Sequence, residues 1–117
     1  MNVSDLVNDL GLVIYSGKKG LERAIKGGYA SDLLSDVMGN AREGQVWITL
    51  QTHKNVAAIA SLKDLAAVIL VKGNQPNEDT ASHSEEEEVP ILGTELNAFE
   101  ITGKVYEKLK AHEIVQG

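Results

Sequence analysis

The run Ala66-Ala67-Val68-Ile69-Leu70-Val71 carries no polar side chain, and it constrains the fold more than any other segment. A strand that is apolar on both sides must be covered on both faces, the condition of a central strand in a parallel sheet. Gln45 to Leu50 reads as a second strand, and Val89 to Leu92 as a short third one. Between them lie two helical segments. Val56 to Leu62 is rich in small residues (Ala57, Ala58, Ala60) and suited to close packing on a sheet. The acidic segment opened by Asn77 or Thr80 must stop before Pro90, because a residue preceding proline avoids helical dihedrals. Parallel strands require crossover connections, so this alternation specifies an α/β fold, a mostly parallel β-sheet with helices on its faces. Aromatic residues make up only 4% of the chain, so Val, Ile, Leu and Ala must build the core. At 117 residues the chain is expected to form a single domain spanning positions 1–117.

The flanking segments are read in the same way. Ser4 is expected to cap a helix over Asp5 to Leu10, with Gly11 just past its end. Leu12 to Tyr15 is a strand, closed by the turn-rich Ser16 to Gly20, whose Gly17-Lys18-Lys19-Gly20 reads as a solvated basic turn. Ala24 to Lys26 is extended and is expected to break at Gly27-Gly28, where strand gives way to helix. Ser31 or Asp32 then caps a helix bearing Leu33, Leu34, Val37 and Met38, which Gly39 and Asn40 end. Thr94 is expected to cap the final helix, with Leu96, Phe99, Ile101, Val105, Tyr106 and Leu109 as its buried stripe. Trp47 lies mid-strand, either in the core or half-exposed at an oligomer interface.

Charge and composition exclude several functions. The net charge is −6, from 17 acidic and 11 basic residues, without the basic stripe that phosphate neutralisation requires, so nucleic acid is not expected as a partner. The Glu85 to Glu88 run reads as a solvated helix face, or else as an acidic docking patch. No apolar run approaches the roughly 18–20 residues that cross a bilayer, and no secretory leader is evident, so no membrane association is expected. With no cysteine there is neither a disulfide framework nor a thiolate metal site, and the expected compartment is the cytoplasm.

In open α/β sheets, ligands sit beyond the carboxyl ends of the strands. The loops there are Gly27 to Asp32, Gln51 to Asn55, Gly73 to Asn77 and Gly93 to Asn97. The candidate ligand-binding residues are Gly27, Gly28, Ser31, Asp32, Gln51, Thr52, His53 and Thr94. The glycine pair admits close backbone approach, and a following helix start favours an anion, although Asp32 as a cap would compete for it. Gln51, Thr52 and His53 offer hydrogen-bonding side chains directly after a buried strand. His53, His83 and His112 share no ligand spacing, so neither a metal nor another cofactor is expected. The phosphate loop GxxxxGK[ST], the GxSxG elbow and the GxGxxG fingerprint are all missing, and no catalytic residue is nominated.

The stretch Glu22-Arg23-Ala24-Ile25-Lys26-Gly27-Gly28-Tyr29-Ala30-Ser31-Asp32-Leu33-Leu34-Ser35-Asp36-Val37-Met38 resembles the signature of DRTGG domains. Glu22-Arg23 stands for the family's Asp-Arg and Gly27-Gly28 for its paired glycines, while Lys26 replaces the threonine. Gly44 to His53 and Ala66 to Gly73 are similar to the family's central strands, and the likeness runs from about Val3 to Leu109. The resemblance implies a fold like the N-terminal domain of HPr kinase/phosphorylase. It also implies a regulatory module, of the kind found beside CBS domains or within phosphotransacetylase-type enzymes. Without a phosphate loop, a kinase activity inherited from those relatives is not expected.

Two functions from different classes follow. The first is a free-standing, non-catalytic regulatory domain that senses a small anionic ligand such as a nucleotide. The second is a protein-interaction module, a homodimeric adaptor acting on a separate enzyme with no small-molecule ligand. An unrecognised enzyme using His53 is a third. A twofold homodimer is expected in either of the first two, through a shared sheet edge or helix-covered face.

Overall fold

The structure, a computed structural model, describes residues 1–116. Its strands are β1 (Val13–Ser16), β2 (Gly27–Ala30), β3 (Gln45–Thr49), β4 (Ala67–Leu70) and β5 (Ile91–Gly93). Its helices are α1 (Val3–Leu10), α2 (Leu34–Asn40), α3 (Lys54–Leu62), α4 (Glu78–Glu87) and α5 (Ala98–Ala111), with a 3-10 turn at Lys18–Gly20. The sheet order is β1-β5-β4-β3-β2. Strands β2 to β5 are parallel neighbours, while β1 joins the far edge antiparallel to β5. The expected mostly parallel α/β domain is therefore present.

Alternation along β3 and β4 divides the core in two. Val46, Ile48, Ala67 and Ile69 point to one face, where they meet Val3 and Leu6 of α1 and Ile101, Val105 and Leu109 of α5. Trp47, Val68 and Leu70 point to the other, against Val37 of α2 and Val56, Ala57, Ile59 and Ala60 of α3. The sheet is thus sandwiched, and β4 is buried on both sides as its aliphatic run requires. Trp47 is 0% exposed, so it belongs to the core and the half-exposed interface alternative falls. Helix α4 packs on α3 with almost no apolar side chains. Its buried face is Thr80, donating to the Thr52 carbonyl at 2.8 Å, and Ser84, sharing a 2.6 Å hydrogen bond with Ser16.

Several local expectations are corrected. Asn2, not Ser4, caps α1, and it exchanges hydrogen bonds with Asp5 in a capping box. Gly11 does end that helix, in the left-handed conformation. The Gly17 to Gly20 turn is not merely a solvated one: both glycines are buried against the backbone between Glu88 and Pro90, and Gly17 has φ +77°. Asn97 rather than Thr94 caps α5, its side chain accepting from the Glu100 amide. The Thr94 hydroxyl accepts from the Leu96 amide instead. Within the expected α5 stripe, Ile101, Val105 and Leu109 are buried, but Phe99 is 88% exposed and Tyr106 43%.

Candidate functional site

The glycine pair does not form the strand-to-helix turn expected of it. Gly27 and Gly28 lie inside β2, in register with Gln45 and Val46 of β3. Neither has positive φ, and a Cβ would meet only ordinary contacts, at 3.6 Å from the Gln45 side chain and 3.7 Å from the Val46 carbonyl. The pair therefore belongs to an edge strand rather than to a ligand loop.

Its charged neighbours serve the opposite end of the sheet. Arg23 donates through Nε to the Glu88 carbonyl at 3.0 Å and through a terminal nitrogen to Asp64 at 2.9 Å. Glu88 follows α4 and Asp64 follows α3, so one guanidinium holds both helix ends together. Lys26 pairs with Glu43 at 3.2 Å. These residues line a hollow of about 200 Å³ whose two cations already have carboxylate partners.

At the carboxyl ends of β2 and β3 the structure does bring nominated residues together. Asp32 does not cap α2, whose first turn has no side-chain cap. Its carboxylate instead accepts from the Thr49 hydroxyl and the Leu50 amide, both at 2.9 Å. The Gln51 amide nitrogen donates back to the Asp32 carbonyl at 2.9 Å, and the Trp47 indole donates to the Ser31 carbonyl at 2.8 Å. The Ser31 hydroxyl accepts from the Leu33 amide. This mesh fixes two adjacent loops relative to each other.

Beside the mesh, two helices begin without side-chain caps. His53 precedes α3 and Asn77 precedes α4, and neither side chain bonds into its helix. They face one another instead, with Asn77 Nδ2 at 3.3 Å from His53 Nδ1. The Asn77 amide and the Thr80 hydroxyl both donate to the Thr52 carbonyl. Helix amino ends favour anions, and Lys54 adds a positive charge at the start of α3. Glu78 and Asp79 occupy the first turn of α4 and oppose an anion there. Ser31, Asp32, Gln51, Thr52 and His53 thus share one rim, whereas Thr94 lies at the end of β5, two strands away from β3. Lys54 was not singled out by sequence reasoning, although its place between His53 and an apolar helix is a detectable signal.

One more titratable pair borders the rim. The Tyr29 hydroxyl donates to Asp36 at 2.8 Å. That bond holds the Asp36 carboxyl below its usual range, with Ser31 and Asn40 adding to it, and raises the Tyr29 phenol. Among the described residues no three His, Asp or Glu side chains are grouped to hold a metal ion, and no helix is long and apolar enough to cross a membrane.

No family model and no curated protein matches the chain. Among solved structures, similarity is found to the CBS and DRTGG domains of the regulatory region of Clostridium perfringens pyrophosphatase, complexed with the activator diadenosine tetraphosphate. The superposition has a TM-score of 0.68 at 10% sequence identity and covers 86% of this chain. It covers 44% of that chain, so this chain spans less than half of its relative's length. The likeness is one of fold, and it coincides with the family that Glu22 to Met38 resembles. In fold, the chain is a DRTGG-like α/β domain.

Proposed function

We propose that the chain is a non-catalytic regulatory domain that reads a small anionic ligand, such as a nucleotide, at the rim where β2 and β3 end. One observation carries this reading. Two helix amino ends without side-chain caps, those of α3 and α4, stand side by side next to a rigid strand-end mesh. His53, Lys54, Asn77 and Gln51 are the side chains placed to meet a phosphate, with Lys54 supplying charge. The carboxylates of Glu78 and Asp79 direct the ligand toward α3. Support also comes from the fold, since the related regulatory region was solved with a nucleotide activator.

The test is ligand-dependent thermal stability across mononucleotides, dinucleoside polyphosphates and phosphorylated metabolites. A true ligand at 100 times its dissociation constant should add about 2.7 kcal/mol of stability, and Lys54→Glu should abolish the shift. A panel that stabilises nothing, or a shift that survives Lys54→Glu, overturns the reading.

A second reading, a protein-interaction module without a small ligand, is favoured by a different observation. Phe99 projects from α5 with 88% of its surface exposed, beside the half-exposed Tyr106. An apolar hollow of about 130 Å³ opens beside Tyr106, between β2 and α5. Phe99, Thr102, Gly103 and Tyr106 themselves line a shallow, open and mostly apolar hollow of about 560 Å³, a face suited to a protein surface.

A further inference from the structure

We infer that two copies of this chain pair through α5, antiparallel, about a twofold axis passing between Thr102 and Gly103. The inference names the occupant of the interaction face just described and needs no ligand at the rim.

Three features of α5 point there. The first is the pattern Phe99-x-x-Thr102-Gly103-x-x-Tyr106, which reads the same in both directions: aromatic, small pair, aromatic. A closed twofold contact uses one patch against itself, so each residue must find its complement at an equal distance across the axis. About this axis Phe99 meets Tyr106 of the second copy, and Thr102 meets Gly103 of the second copy. The spacing i, i+3, i+4, i+7 puts all four on one stripe that flanks the buried Ile101, Val105 and Leu109, with Phe99 and Gly103 exposed and Thr102 and Tyr106 bordering the hollow between β2 and α5.

The second feature is Gly103 itself. It sits inside a 14-residue helix, where glycine is unfavourable, yet a Cβ added there would meet nothing within 4 Å. The monomer gives this glycine no packing role. A second helix crossing at the same point does, because only a residue without a side chain lets two backbones approach closely.

Charge is the third. The chain as a whole is strongly acidic, but Ala98–Ala111 carries Lys104, Lys108 and Lys110 against Glu100 and Glu107, so this helix is where like-charge repulsion between copies is least.

Sedimentation of the full chain, over micromolar to millimolar concentrations, tests the arrangement. The wild-type chain should sediment as a dimer, and Phe99→Glu as a monomer with an unchanged circular dichroism spectrum. Because the chain contains no cysteine, Gly103→Cys supplies a single thiol beside the axis. It should cross-link to a covalent dimer on mild oxidation, and should not do so when Phe99→Glu is added. A wild-type monomer at every concentration overturns the inference. So does a dimer that survives Phe99→Glu, which would place the contact elsewhere. Neither result bears on ligand binding at the rim, since none of these positions belongs to it.

Discussion

The indole nitrogen of Trp47 donates to the Ser31 carbonyl at 2.8 Å, joining the middle of β3 to the residue directly after β2. The ring is fully buried, so here the core reaches the rim through a hydrogen bond from an aromatic side chain. Trp47→Phe removes the donor and leaves both a cavity and a carbonyl short of its partner. The expected loss is about 2–4 kcal/mol in chemical denaturation. Tryptophan emission in the native chain should be blue-shifted and shielded from iodide, and should move red on unfolding.

Asp32 holds the two loops of the rim together through the Thr49 hydroxyl and the Leu50 amide. Asp32→Ala should cost about 1–3 kcal/mol of stability, since charge-assisted bonds are lost and the buried Thr49 hydroxyl, which still accepts from the Gln51 amide, loses its acceptor. Asp32→Asn keeps an acceptor oxygen and should lose less. Hydrogen exchange at the Leu50 amide should quicken in Asp32→Ala while β4 amides keep their protection. Uniform acceleration across the sheet would show that the mesh is not a local device.

Gly17 combines positive φ with contact against the backbone of Val89 and Pro90, and a Cβ would overlap the Val89 carbonyl. Gly17→Ala should therefore destabilise by at least about 1–3 kcal/mol, read from the denaturation midpoint. Gly28→Ala has neither obstacle and should be close to neutral. Equal costs at the two positions would contradict this account.

The Tyr29–Asp36 bond makes stability depend on pH at both extremes. Asp36 is held below its ordinary value of 3.8, so its contribution is complete above that value and is lost as the pH falls through the depressed one. Tyr29 is raised above its ordinary value of 10.0, so its contribution is complete below that value and is lost as the pH rises further. Melting temperatures of Asp36→Asn should lie below those of the wild type near neutral pH. The gap should close as the acid limb is descended. A constant gap from pH 7 down through the acid limb would show that the carboxylate is not responsible.

Much of the sheet is legible in the sequence because burial on two faces leaves an unmistakable residue pattern. Ala66 to Val71 can be little else than a central strand, and Ile101, Val105 and Leu109 recur at helical spacing. What hides is structure held by small or polar groups. The buried face of α4 is Thr80 and Ser84, which carry no hydrophobic signal, and the helix was recognisable only from its acidic surface and Pro90. Gly27 and Gly28 look like a turn because glycine usually marks one, yet here they run along an edge strand. Phe99 and Tyr106 read as core because aromatic side chains usually are, and their spacing alone does not show that Phe99 is exposed and Tyr106 half-exposed at the flank of the buried stripe. At the rim, Asp32 was legible as an important acceptor but not its partners, because Thr49 and Leu50 become its neighbours only when β2 lies beside β3.

The antiparallel pairing of β1 with β5 has a consequence for the order in which the chain can assemble. Val13 lies across from Gly93, so β1 waits for β5, which follows every other strand of the sheet, before its edge is satisfied. The parallel set β2 to β5 can grow strand by strand as each crossover helix is completed, whereas β1 closes a loop of about eighty residues onto β5. Removal of β5 by truncation would thus strand the opposite terminus as well, exposing β1 as an unpaired edge and making the two distant ends of the sequence a single unit of failure.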